Sequence, residues 1–403
     1  MDLFKKCFDQ TRFAEMKQAG LYPFFHQITG MQQTTVQLEG KEVIMLGSNN
    51  YLGLTSHPDV IKAAVDATEK YGTGVSGSRF LNGTLDLHVT LEKELAEYLD
   101  KEHAIVFSTG FQSNLAIISS LVGRHDYVIS DKENHASIYD ACRLSWGKML
   151  RYEHSDMEDL ERQLKSVPKD AGILIVTDGV FSMTGEVANL PEIVRIGKKY
   201  GARIMVDDAH GFGVLGKGGR GTADHFGLTD EVDVIMGTFS KSLASIGGYV
   251  VVNGEPVAEY IRHNSRPFIF SAAIPAACAA SALEALRVLK REPELVDRVN
   301  EMAELMRTKL LENNIKMFAH DFPVMPVNSP IIPIIIEGDD ILTCAVCKEL
   351  LAEGVYVNPV GPPATPPGVC LLRTSYTSLH TKEIIEKAAN IIVNVMKKMG
   401  LCK

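Results

Sequence analysis

A lysine, two histidines and an aspartate could carry the chemistry of this sequence. Lys241 stands in Gly237-Thr-Phe-Ser-Lys-Ser-Leu-Ala-Ser-Ile-Gly-Gly248, just past the apolar run 232–236. A lysine at the end of a buried strand, among small and hydroxyl residues, is partly desolvated. That favours the neutral amine, which attacks carbonyls. Thr238 and Ser240 offer hydroxyls beside it, and Gly247-Gly248 lets the backbone come close to a bound group. Asp207 ends another apolar run, 203–206, and Asp208 and His210 follow it. A carboxylate emerging from a buried strand is costly unless something cationic faces it. His135 and Ser182 come after two further runs in the same manner.

The elements that must position these side chains recur with a regular rhythm. Short apolar runs at 104–107, 127–129, 173–176, 203–206 and 232–236 read as buried strands, and helical stretches such as 190–200 separate several of them. This alternation predicts an α/β fold: a three-layer large domain with a mostly parallel sheet covered on both faces. Ligands of such sheets bind beyond the carboxyl ends of the strands. Here those ends carry, in order, Thr109, His135, Ser182, Asp207 with His210, and Thr238 with Lys241. They describe one pocket.

Around that frame, residues 1–20 read as an amphipathic helix ending at Gly20, and 36–46 as a hairpin about Gly40. Residues 58–71 and 85–99 are helical, and between them 72–83 is a glycine-rich loop. Helices are expected at 274–290, 295–313, 339–351 and 381–399, strands at 333–336, 355–357 and 370–374, and a rigid proline-rich loop at 358–367. The division expected is an N-terminal arm (1–50), a large domain (51–290) and a smaller C-terminal α+β domain (291–403).

With 403 residues the chain can bury a sizeable core. A net charge of −9 argues against a nucleic-acid partner, which wants a basic face. Seven scattered cysteines suggest a reducing compartment. Cys344 and Cys347 form a lone C-x-x-C within a helical pattern, so no metal site is expected there. The N-terminus lacks the apolar core of a signal peptide, and no apolar run is long enough to span a bilayer. A cytoplasmic protein is expected, with the amphipathic start a candidate for peripheral contact with the inner membrane surface.

Each residue alone has a plainer reading. Asp207-Asp208 could cap a helix or bind a metal ion, His135 and His210 could be structural, Ser182 could be a turn residue, and Arg373 could pair with a surface carboxylate. Their joint occurrence at successive strand ends favours a shared ligand. Pyridoxal 5'-phosphate (PLP) meets the needs of the set: its ring nitrogen, held protonated by Asp207, makes the ring an electron sink. Lys241 would hold the aldehyde as a Schiff base. Gly110 and Phe111, opening a helix, would offer N–H groups to the phosphate, with the Thr238 hydroxyl beside them. His210 can reach the phenolic oxygen, and His135 can stack on the ring. Ser76, Ser78 and Asn49 are the nearby polar groups for a substrate.

Several motifs together resemble the α-oxoamine synthases, PLP enzymes of fold type I, over nearly the whole chain. They are Gly47-Ser-Asn-Asn-Tyr-Leu-Gly-Leu, Gly77-Ser-Arg-Phe-Leu-Asn-Gly-Thr, Asn134-His-Ala-Ser, Asp178-Gly-Val-Phe-Ser-Met, Val206-Asp-Asp-Ala-His-Gly and Gly237-Thr-Phe-Ser-Lys. The resemblance implies that Lys241 is the Schiff-base lysine, Asp207 the ring-nitrogen partner and His135 the stacking histidine. It puts His210, Ser182, Thr238, Gly110 and Phe111 at further cofactor positions, and Asn49 and Arg373 at substrate positions. Phe270-Ser-Ala-Ala-Ile-Pro is similar to the segment through which a partner subunit completes the phosphate site. That implies a homodimer with shared active sites, Ser271 and Ala272 being supplied across it. Within the family, 237–248 and 359–366 are most similar to the bacterial members that join L-serine to a long-chain acyl-CoA with loss of carbon dioxide. One departure is Asp208, where those members usually carry Glu and glycine-using members carry Asp. Alternatives are the glycine-plus-acetyl-CoA or alanine-plus-pimeloyl-CoA reactions, and a catalytically silent partner subunit, which would be expected to lack Lys241. A nicotinamide-binding protein is disfavoured, because no G-x-G-x-x-G follows the first strand of the rhythm.

Overall fold

The fold is given by a computed structural model, which describes residues 2–318, 327–362, 364–365 and 368–402. Its strands, in chain order, are β1 (Ile28–Thr29), β2 (Thr35–Leu38), β3 (Lys41–Met45), β4 (His103–Phe107), β5 (Tyr127–Asp131), β6 (Lys148–Tyr152), β7 (Ile173–Asp178), β8 (Arg203–Asp207), β9 (Val234–Thr238), β10 (Gly248–Val252), β11 (Ile331–Ile336), β12 (Val355–Tyr356), β13 (Asn358–Val360) and β14 (Cys370–Ser375). Strands β4 to β10 form one sheet in the order β4-β10-β9-β8-β7-β5-β6. Strands β5 to β9 run parallel to one another, while β10 is antiparallel to both β4 and β9.

Period-two alternation makes this sheet the middle of three layers. Ile204, Val206, Ile235 and Val251 belong to a core closed by helices Asp86–Tyr98, Leu190–Lys199 and Ala276–Arg291. The residues between them, Met205, Val234, Met236 and Val250, face the other way and meet helices Gly110–Leu121, Ala136–Leu144 and Glu255–Asn264. Both faces being covered, the strands read as unbroken apolar runs. Outside the edge strand β6, polar residues appear only at the strand ends.

Strand β10 is not among the strands expected from sequence; only its first residue, Gly248, falls in the Lys241 stretch. Only residues 239–247 separate it from β9, too few for the helical crossover that a parallel strand needs, so it returns antiparallel. Gly248 then lies against the start of helix Gly110–Leu121, where a Cβ would come 2.8 Å from both N and Cα of Gly110. The close approach expected at this glycine is to protein backbone. The edge strand β6 was also missed.

The hairpin about Gly40 is present as β2–β3, with Glu39 and Gly40 both at positive φ. Strand β12 pairs in parallel with β3, so the N-terminal strands share a sheet with the C-terminal third, and β11, β14 and β13 form a third sheet. The single helix expected over residues 1–20 is instead two short ones, Lys5–Phe8 and Arg12–Gln18, in which only Met16 is buried. No packed face holds it straight. The loop expected at 358–367 begins as β13, and its residues 363, 366 and 367 lie outside the described residues. No helix among the described residues is long and apolar enough to cross a membrane.

Candidate active site

The carboxyl ends of β4, β5, β7, β8 and β9 open onto a cavity of about 310 Å³. It is lined by Gly110, Phe111, His135, Ser182, Asp207, His210, Thr238 and Lys241, all named from sequence, together with Asn114, Ser137, Asp178 and Ser240. A larger cavity of about 690 Å³ borders the C-terminal third and contains none of these groups. Asn49 and Arg373 lie directly behind the site. Arg373 Nε donates to the Ser182 carbonyl at 2.5 Å and Nη2 to Asn49 Oδ1 at 2.9 Å. Ser76, Ser271 and Ala272 are not among the lining residues. Ser76 sits exposed in a left-handed turn, and Ser271 and Ala272 are held on a separate surface by Gln112 and Ser108.

Burial sets the charges. Lys241 is brought down to about 8 by burial, with Arg373 adding to the effect and Asp207 and Asp178 opposing it. Asp178 stands in register with Asp207 on the adjacent strand. Burial, and then the Asp207 charge, push its carboxyl well up. His210 is held well below the usual histidine range by burial, Lys241 and Arg373, so it is neutral, and its Nδ1 lies 2.8 Å from Tyr51 Oη. His135 is lowered by burial and by Lys241, against the pull of Asp207.

One hydrogen-bonded chain ties Asp207 to His135. The Asn114 amide nitrogen donates to Asp207 Oδ2 at 2.7 Å. The second N–H of that amide reaches Ser137 Oγ at 2.8 Å. Having accepted there, the Ser137 hydroxyl donates to His135 Nδ1 at 2.7 Å, and the Ser137 backbone N–H points at the same atom from 3.3 Å. His135 Nδ1 is therefore an acceptor, and the neutral ring carries its hydrogen on Nε2. The His135 backbone N–H is fixed in turn by Asp178 Oδ2 at 3.1 Å. Asn114, Ser137 and Asp178 are not among the site residues expected from sequence, although Ser137 and Asp178 lie inside the motifs named there and Asn114 on the helix that Gly110 opens.

The second acid, Asp208, turns away from the cavity. It is buried, accepts from Thr222 N and Oγ1 at 2.8 and 2.6 Å, and is raised to about 7 by burial. A Cβ on Gly179, Gly211 or Gly221 would collide with its carboxylate. The surroundings of this acid are Thr222 and three glycines, and it is not among the residues that line the cavity. Among the described residues, Glu133, His154 and Glu186 form the one close set of three metal-type side chains. Burial works against a charge on His154, yet hydrogen bonds to Asp131 and Glu186 hold its pKa up at about 10, so it stands there as a cation.

The cavity thus accepts three chemistries at once. The first turn of helix Gly110–Leu121 faces it with unpaired N–H groups, and no side chain intervenes, since a Cβ on Gly110 would press on Thr238 at 2.9 Å. That end suits an anion. Asp207 suits a protonated ring nitrogen, and Lys241, more readily deprotonated than an ordinary lysine, suits a carbonyl. The Thr238 hydroxyl donates to the Gly247 carbonyl at 3.0 Å, so across the 3.0 Å contact between the two side chains it is the Ser240 hydroxyl, exposed in the cavity, that donates to Thr238 Oγ1.

Residues 41–392 match the family Aminotransferase class I and II. A serine palmitoyltransferase of Sphingobacterium spiritivorum is 49% identical over 95% of this chain and 94% of its own length. An 8-amino-7-oxononanoate synthase of Symbiobacterium thermophilum is 42% identical over 96% of both chains. A solved structure of SPT with its PLP internal aldimine superposes with a TM-score of 0.95 at 37% identity, covering both chains completely. From strand ends to whole length, the agreement places the chain in the aminotransferase class I and II family, within its α-oxoamine synthase branch.

Proposed function

We propose that this chain binds PLP and condenses L-serine with a long-chain acyl-CoA such as palmitoyl-CoA, releasing CoA and carbon dioxide and giving 3-ketosphinganine. The observation that carries this is the set of Asp207, Lys241 and the Gly110 helix start around one cavity, in a chain about half-identical to a serine palmitoyltransferase. The cavity lies within residues 51–290, which we read as the catalytic unit. The Gly110 and Phe111 N–H groups and the paired hydroxyls of Thr238 and Ser240 would hold the phosphate, Asp207 the ring nitrogen, and Lys241 the aldehyde carbon. When bound, PLP supplies an electron sink for charge developed at the substrate Cα.

The protein side of the reaction follows from the geometry. Lys241, down at about 8, has a larger neutral fraction near neutral pH than an ordinary lysine, and in that form its Nζ can take the Cα proton. His135 offers Nε2–H as a donor to a carboxylate or carbonyl oxygen. Arg373, fixed by Ser182 and Asn49, keeps a cation behind the site for the same carboxylate.

We read the working form as a cytoplasmic homodimer. Phe270 is 79% exposed, and Ser271 and Ala272 lie beside the helix start yet outside their own cavity, as residues given to a second copy would. Exposed Leu3, Phe4 and Phe8 beside Lys5 and Lys6 favour membrane contact by the N-terminal segment. Measuring CoA release with serine, glycine and alanine against acetyl-, pimeloyl- and palmitoyl-CoA tests the reading. Serine with palmitoyl-CoA should be fastest, and turnover of glycine with acetyl-CoA while serine stays inert would refute it.

A further inference from the structure

Away from the catalytic cavity, β6 forms one edge of the main sheet, and an exposed group of aromatic and cationic side chains surrounds it. Leu144 and Trp146 protrude where helix Ala136–Leu144 turns into β6, 64% and 68% exposed. Arg124 lies 4.3 Å over the Trp146 ring. Arg143 and Arg151 stand 5.7 and 5.3 Å from the Tyr139 ring, and Lys148 stands 5.4 Å from that of Tyr127. Among the described residues none of these four cations is ion-paired with a carboxylate. Lys148 bonds to Tyr127 Oη and Arg151 to the Lys132 carbonyl.

The acids of the same stretch are already engaged. Asp126 accepts from Gly123 N, Asp131 and Glu133 are drawn to His154, and Glu153 pairs with Lys132. The backbone hydrogen bond leaves the charge of Asp126 in place, so Asp126 and the half-buried Asp140 together offset the four cations only in part. In a chain of net charge −9 this edge is locally positive, with an apolar tip.

We propose that this edge docks on an anionic phospholipid surface, with Leu144 and Trp146 entering the headgroup layer and Arg124, Arg143, Lys148 and Arg151 facing lipid phosphates. An indole beside an aliphatic side chain suits the boundary between headgroups and acyl chains. Nucleic acid fits less well, because arginines already cover ring faces on which bases would stack. A second copy of the chain fits less well too, since two apolar side chains at one turn fall far short of the roughly 800 Å² per partner that a stable interface buries.

Trp146 is the chain's only tryptophan, so its fluorescence reports on this site alone. Holoenzyme mixed with phosphatidylcholine–phosphatidylglycerol vesicles should float with them and show a blue-shifted emission. Phosphatidylcholine vesicles should do neither, and high salt should reverse the effect. Each cation removed should weaken binding about fivefold, so Arg124→Ala/Arg143→Ala/Lys148→Ala should lose on the order of 100-fold. All three residues are exposed, and the melting temperature of the variant checks that it stays folded. An unchanged emission overturns the proposal, even if the protein floats, since binding would then run through another surface. Unchanged binding by the triple variant overturns it as well, as does a shift produced by an RNA oligonucleotide or by protein concentration alone. The assay needs no turnover, so it stands or fails apart from the choice of amino acid.

Discussion

Lys241 is reactive because burial outweighs the two carboxylates near it. Below about pH 8 the buried amine holds its proton, and above it the neutral form dominates. The apoprotein should therefore capture PLP covalently at a rate that rises with pH and levels off above about 8. Asp207 raises this pKa, so Asp207→Asn should move the midpoint lower. A midpoint at the ordinary lysine value, or a shift upward in the variant, would contradict the assignment. The chain from Asp207 through Asn114 and Ser137 makes a second prediction. Neutron diffraction at neutral pH should find hydrogen on Nε2 of His135 and none on Nδ1. Ser137→Ala removes the hydroxyl donor and should raise the KM for serine several-fold with a smaller change in kcat, while hydrogen on Nδ1 in the parent protein would sink the account. Neither Asn114 nor Ser137 could be given this role from sequence. Asn114 lies 93 residues from Asp207 and 23 from Ser137, and only the packing of two helices on one sheet face joins the three.

At the scale of elements, the pocket was legible because parallel strands buried on both faces are written as apolar runs, and their polar successors mark where the chain leaves the sheet. The same logic fails for β10, whose apolar run opens at Gly248 and belongs to a strand of opposite direction. It fails again for β6, an edge strand whose residues Lys148 and Arg151 interrupt the pattern. Gly248 is where β10 meets the helix that presents Gly110. A methyl group there would strike Gly110 backbone at 2.8 Å, and backbone cannot move aside as a side chain can. Gly248→Ala should cost about 1–3 kcal/mol of stability, the range of overpacked cores. It should also weaken PLP affinity by displacing the helix start. Chemical denaturation and cofactor titration measure the two effects, and a variant unchanged in both would show that this contact does not position the phosphate end.

For the whole molecule, the sequence motifs from Asn49 to Arg373 converge although they come from opposite ends of the chain. Arg373 on β14 reaches Ser182 and Asn49, so the C-terminal third closes the site that the large sheet builds. A site sharing Ser271 and Ala272 across two copies predicts a dimer in sedimentation equilibrium. It also predicts that mixing Lys241→Ala chains with chains altered at Ser271 restores part of the activity, since one of the two sites in a mixed dimer is intact. The most direct test of the central claim is the fate of the substrate carboxyl. With carboxyl-labelled L-serine, label should leave as carbon dioxide only when palmitoyl-CoA is present, in step with CoA release, and Lys241→Ala should abolish both. Condensation that retains the label, or label loss that does not need the acyl-CoA, would contradict the account.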